Sequence, residues 1–297
     1  MKSAIASSVI IAAVALALPA AAQSRQGPQV EINNAVARVA VIVEDRTDIA
    51  VEIEPGASKL PALRVTRDGP DVRINGGLGR RGLFSGGGSI RNCRPGPEGG
   101  QPGVGATVEV RNLGRIDLSN APLIVIRTPR AVHVEASGAV FGSVGRGASS
   151  VDVGNGGCGR WNVANTDGPV SLSIAGSGDM RAGTSAVLDI SIGGSGSVTA
   201  GATGNLTIAI GGSGDVIVAR ADGPTDVSIG GSGDVDIRAG TVAELSISLA
   251  GSGDVNFSGT AGDVDVSLVG SGDVTVARAT GSVSRSIVGG GDVRIGS

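Results

Sequence analysis

From about residue 130 onward the chain repeats one short phrase, Gly-Ser-Gly-Asp-Val. It stands at Gly176–Met180 (with Met in place of Val), Gly212–Val216, Gly231–Val235, Gly251–Val255 and Gly270–Val274, with variants at Gly194–Val198 and Gly289–Val293. The first glycines of successive phrases lie 18 to 20 residues apart. A period of that length marks a solenoid, in which one repeat is one coil whose apolar side is buried only when neighbours stack on it. The repeats therefore predict an all-β β-solenoid.

Aligning the phrases shows how a coil is built. Six, four and two residues before the first Gly stand Val170/Leu172/Ile174, Leu188/Ile190/Ile192, Leu206/Ile208/Ile210, Thr225/Val227/Ile229, Leu245/Ile247/Leu249 and Val264/Val266/Leu268. This period of two turns them to one side of a strand, leaving Ser171, Ser173, Asp189, Ser191, Ser246, Ser248, Asp265 and Ser267 on the other. After the Asp a shorter strand carries the inward pairs Val216/Val218, Val235/Ile237, Val255/Phe257, Val274/Val276 and Val293/Ile295. A looser Gly/Ala/Thr turn completes each coil. The same ruler reaches back through Val151, Val153 and Asn155 to Val132 and Val134, giving about nine coils. With 52 Gly, three Phe, one Trp and no Tyr, the core must be built almost wholly from Val, Ile, Leu and Ala. At the C-terminal end Arg285 takes an inward position and Arg294 sits on the final strand, where charge discourages edge-to-edge growth.

The start of the chain reads as an export signal. Met1-Lys2 is a short basic start, Ala4 to Leu18 an apolar run, and Ala20-Ala21-Ala22 before Gln23 a small-residue cleavage site. The expected organisation is a signal peptide over 1–22, an irregular N-terminal β-cap with an Arg/Gly/Pro-rich loop over 23–105, and the solenoid over 106–297. The mature chain is expected in the periplasm, the cell envelope or the extracellular space, with no transmembrane segment. Within 23–105, Gln29 to Glu54, Leu63–Val65 and Val72–Ile74 alternate as strands, and the loop from Gly76 to Gly103 carries Arg80, Arg81, Arg91 and Arg94. A separate β-domain is the alternative there.

The repeated phrase after Leu-x-Ile-x-Ile strands, with the lead-in Ala121-Pro122-Leu123 through Thr128-Pro129-Arg130-Ala131-Val132, resembles the bacterial auto-transporter adhesin family of the head GIN domain. The resemblance covers roughly Ala106 to the end. It implies a single-stranded, right-handed parallel β-helix in an exported protein with no established enzymatic activity. With Ile295-Gly296-Ser297 as the last residues, no autotransporter-type membrane barrel is expected.

Chemistry-bearing residues are few. Asp179, Asp215, Asp234, Asp254, Asp273 and Asp292 occupy one corner of successive coils, with Ser197 and Arg160 at two levels. Two readings are open. Each Asp accepts hydrogen bonds from backbone amides of its own tight turn, with the glycines supplying positive φ, or the row holds Ca²⁺ through hard oxygen ligands. The calcium-binding nonapeptide differs, because Val235 stands where it needs a ligand. No cofactor is otherwise expected. Cys93 and Cys158 in an exported chain predict one disulfide. The only histidine, His133, falls outward in Val132-His133-Val134 and reads as a surface residue.

Residues 55–146 hold 13 Lys/Arg against 6 Asp/Glu, and residues 147–297 hold 7 against 15. A basic cap and an acidic solenoid suit anionic glycans and cations respectively, or head-to-tail packing of copies into a homo-oligomer. Nucleic acid is not expected, since aromatic stacking platforms are lacking. The function expected is an exported, non-enzymatic binding protein of adhesin type, its partner a surface glycan or protein. A structural periplasmic scaffold is the alternative, and a polysaccharide-active β-helix enzyme a more distant one.

Overall fold

A computed structural model describes residues 27–79, 89–97, 101 and 103–297. The expected signal peptide, Arg80 and Arg81 lie outside the described residues. The structure is nearly all-β, a parallel β-solenoid of about nine turns. Among the described residues the only helical element is a 3₁₀ turn at Leu118–Asn120.

Nine strands open the chain: β1 (Gln29–Val43), β2 (Ala50–Glu54), β3 (Arg64–Asp68), β4 (Asp71–Asn75), β5 (Ile90–Arg94), β6 (Thr107–Val110), β7 (Gly114–Asp117), β8 (Leu123–Thr128) and β9 (Ala131–Val144). From β9 onward each coil places one strand on a first face and one on a second. The first face stacks in parallel register from Val132 through Val151, Val170, Leu188, Leu206, Thr225, Leu245 and Val264 to Val283. The second stacks from Gly142 through Trp161, Met180, Val198, Val216, Val235, Val255 and Val274 to Val293. The period-two residues expected inside are buried in every coil before the last. Trp161 is fully buried beside Gly142, where a Cβ would overlap its ring.

The turn expected to be loose is a short third side. Thr203 pairs with Ala221, Val242 with Ala261, and Ala261 with Ala279. Thr203, Ala221, Val242 and Ala261 are all buried, a third inward column of small residues.

The N-terminal region is fused to this stack. β1 lies parallel on β9 as a further rung and receives β4 and β8 in parallel on its other edge. β3 on β4 and β2 on β8 then run antiparallel and end the register with Glu52, Glu54, Arg64, Arg67 and Asp68 along the outermost strands. Such charged edges oppose further strand addition. Outside the tube, the antiparallel sheet β5–β6–β7 covers Val36, Ala139 and Phe141 with Val108, Val110 and Ile116, forming a second core. At the opposite end Arg285, in the inward register, is exposed together with Val283 and Ile287.

Candidate interaction surface

The corner between the two faces is made by the Gly-Ser-Gly-Asp phrase, and its glycines are required by stacking. A Cβ on Gly212 would overlap the carbonyl oxygen of Gly194, and the same holds for Gly231 over Gly212, Gly251 over Gly231 and Gly270 over Gly251. Positive φ is the exception here, found at Gly270 and Gly289 but not at Gly212 or Gly231. Close approach of successive backbones, rather than a left-handed turn, explains the repeated glycine.

The aspartates of this corner reach out of their own turn. The Asp215 carboxylate accepts the backbone N–H of Asp234 at 3.1 Å, and Asp234 accepts that of Asp254 at 2.8 Å. Asp254 accepts from Asp273 at 2.8 Å, and Asp273 from Asp292 at 2.9 Å. Asp179 makes the corresponding longer contact with Ser197 N–H at 3.4 Å. Each side chain therefore links its coil to the next, a different partner from the same-turn amide expected. Among the described residues no three His, Cys, Asp or Glu side chains gather as a metal ion would require.

Links of the same kind between successive coils recur at separate positions on the third side. Asn165 accepts from Thr184 N–H at 3.1 Å, Asp222 from Thr241 N–H at 3.2 Å, and Asp263 from both N–H and Oγ of Ser282 at 2.7 Å. The Ser282 bonds hold the Asp263 carboxyl below the usual carboxylate range, and Arg220 does the same for Asp222.

At the corner of the second coil, Arg160 replaces Asp. Its Nη1 donates to Gly96 O at 3.2 Å and Pro97 O at 3.1 Å, and its Nη2 lies 3.7 Å from Asp179 Oδ2. Beside it the Cys93–Cys158 disulfide joins β5 to the same corner, with Cα atoms 6.1 Å apart. Asn155, buried in the inward column, shapes this corner by accepting from Gly157 N–H and donating to Gly159 O. Arg91 and Arg94 stay exposed on β5. Arginine and cysteine here fasten the outer sheet to the tube.

The first face has a different character. Register places Asp152, Ser171, Asp189, Thr207, Asp226, Ser246, Asp265 and Ser284 in one outward column, so a carboxylate and a hydroxyl alternate coil by coil. At a strand spacing of about 4.8 Å, carboxylates in one column at successive levels would repel, and alternation doubles their separation. The adjacent outward column is Ser173, Ser191, Ala209, Ser228, Ser248, Ser267 and Ser286. No strand of this face between Ser150 and Ser284 carries Lys or Arg. By contrast, Arg181, Arg238 and Arg294 sit along the second face. Burial pushes the Asp189 carboxyl upward, offset in part by its hydrogen bond to Thr207. His133 heads the column, with its side chain 17% exposed and Nδ1 3.5 Å from Asp152 Oδ2.

Comparison with known proteins adds the following. Residues 224–297, the last four coils, match the family described as "Putative auto-transporter adhesin, head GIN domain". The match begins well after Ala106, where the resemblance in sequence pattern starts. A solved structure described as a "Putative lipid binding protein" from Parabacteroides distasonis is similar over 91% of this chain and 93% of that chain, at 16% identity and a TM-score of 0.46. No curated protein matches the chain.

Proposed function

We propose, with the GIN-type repeats of residues 224–297 as the premise, that the protein is an exported, non-enzymatic β-solenoid that binds an envelope or cell-surface partner in the manner of an adhesin. The observation that carries this reading is the first face, a run of exposed and half-exposed carboxylates and hydroxyls repeated over successive coils with no Lys or Arg among them. Repetition suits many weak contacts with an extended partner, whose strengths combine once the first is made. The disulfide and the leader-like residues 1–22 support residence outside the reducing cytoplasm. Among the described residues no helix is long and apolar enough to cross a membrane.

A non-enzymatic role is supported by where the reactive groups are used. The corner aspartates hold successive coils together, and His133 is paired with Asp152. The test is sedimentation of purified protein with isolated bacterial envelopes, run beside a polysaccharide panel assayed for released product. Saturable co-sedimentation without product supports the proposal. Product release, or no binding to any envelope fraction, would refute it.

A further inference from the structure

We infer that the first face takes an extended glycan bearing protonated amines, of the β-1,4-linked glucosamine type, laid along the solenoid axis. This rests on the reading of the protein as a surface-binding module and names the partner of that face.

Charge comes first. Asp152, Asp189, Asp226 and Asp265 stand in one column of the face, Asp152 at its head beside His133 Nδ1 at 3.5 Å, and no Lys or Arg shares its strands between Ser150 and Ser284. Glu244 and Asp263 pair side by side next to that column and add to the same sign. Asp226 and Asp265 are exposed, and Asp189 is half-buried and hydrogen-bonded to a neutral hydroxyl, that of Thr207. The charge on this face therefore calls for a cationic partner.

Spacing comes second. Carboxylates recur every second coil, about 10 Å apart at a strand spacing of about 4.8 Å. An extended β-1,4-linked glycan presents equivalent substituents on one edge once per disaccharide, a repeat close to that distance. From Asp152 to Asp265 is six coil steps, on the order of 29 Å, which spans about three disaccharides.

Chemistry comes third. Between the carboxylates stand Ser171, Thr207 and Ser246, and beside them the serine column of Ser191, Ser228 and Ser248. Hydroxyls both donate and accept, matching the hydroxyls a sugar presents between its amines. A basic peptide has the charge but offers little to a column of serines, so the glycan is favoured.

The experiment is co-sedimentation of the full mature chain with particles of β-1,4-linked glucosamine polymer at a pH where its amines are protonated. Fully N-acetylated polymer, cellulose and polylysine-coated beads serve as comparisons. The result expected is saturable binding to the glucosamine polymer alone, weakened by salt. Replacing Asp152, Asp189, Asp226 and Asp265 together by Asn should weaken it about tenfold or more, since several exposed charge pairs are lost at once. The matched replacement of Asp215, Asp234, Asp254 and Asp273 by Asn should leave it intact, because Asn keeps the oxygen that accepts the next coil's N–H. A melting curve confirms that both variants fold. Equal binding to the acetylated polymer or cellulose, equal binding to polylysine, or loss with the corner variant would overturn the inference. Envelope binding without glucosamine-polymer binding would overturn it while leaving the proposed function standing.

Discussion

Replacing Gly212 by Ala tests the reason given for the repeated corner. A Cβ there would overlap the carbonyl oxygen of Gly194, and that same oxygen accepts Ser213 N–H at 3.1 Å. To reach ordinary van der Waals distance the two backbones must part by more than an ångström, which breaks that hydrogen bond. The lost bond costs about 1 kcal/mol, and forcing atoms into a packed site costs about 1–3 kcal/mol more. The expected destabilisation is about 3 kcal/mol, or on the order of 10 °C in Tm for a chain of this size. Gly193, in the neighbouring coil, is the control. A Cβ there meets only Ile174 O at 3.9 Å, and its φ is not positive. Gly193→Ala should be neutral or stabilise by about 0.4–1 kcal/mol through the unfolded chain. Urea unfolding followed by far-UV circular dichroism compares the two midpoints. Equal effects, or a harmless Gly212→Ala, would refute close approach as the cause.

Other expectations follow from the same geometry. Replacing Cys93 and Cys158 together by Ser opens a linkage across 65 residues and should cost about 4 kcal/mol by loop entropy; hydrogen exchange should locate the loss first in β5–β7, and an unchanged midpoint would contradict this. Asp189→Asn removes a carboxylate whose pKa burial raises, so the variant should match or exceed wild-type stability at neutral pH. That difference should vanish as pH falls through the raised pKa, because wild-type Asp189 is then neutral too; a gap that persists in acid would show that charge is not its source. Asp222 and Asp263 act in the opposite sense: their lowered pKa values contribute stability above the unfolded carboxylate range that is lost as pH falls through the folded values. Millimolar Ca²⁺ should leave the melting temperature of EDTA-treated protein unchanged, since the carboxylates of Asp215, Asp234, Asp254 and Asp273 already accept amide N–H groups; a saturating rise of several degrees would make that row a cation site.

The solenoid was legible because its signal is redundant. Val216, Val235, Val255 and Val274 occupy equivalent positions, and each confirms the others' inward direction. Cys93 and Cys158 were legible as a pair because export restricts what two cysteines can do. The outer core was harder to see, since Phe141 lies one residue from Val140 and both are buried. Apolar residues at both parities of β9 were the available sign that it is covered on two sides. The partners of the corner aspartates could not be read from the phrase alone, because the accepted N–H belongs to a residue 19 or 20 positions away. Alternation of Asp with Ser or Thr on the first face is present in the sequence, yet becomes a surface property only once Asp226 is placed between Thr207 and Ser246.

The most direct test of the binding role compares two charge-matched variants for attachment to bacterial envelopes. One carries Asn at Asp152, Asp189, Asp226 and Asp265; the other carries Asn at Asp215, Asp234, Asp254 and Asp273. The expected result is attachment lost in the first and kept in the second, with both melting near wild type. Attachment lost in the second alone, or kept in both, would contradict a binding role for the first face.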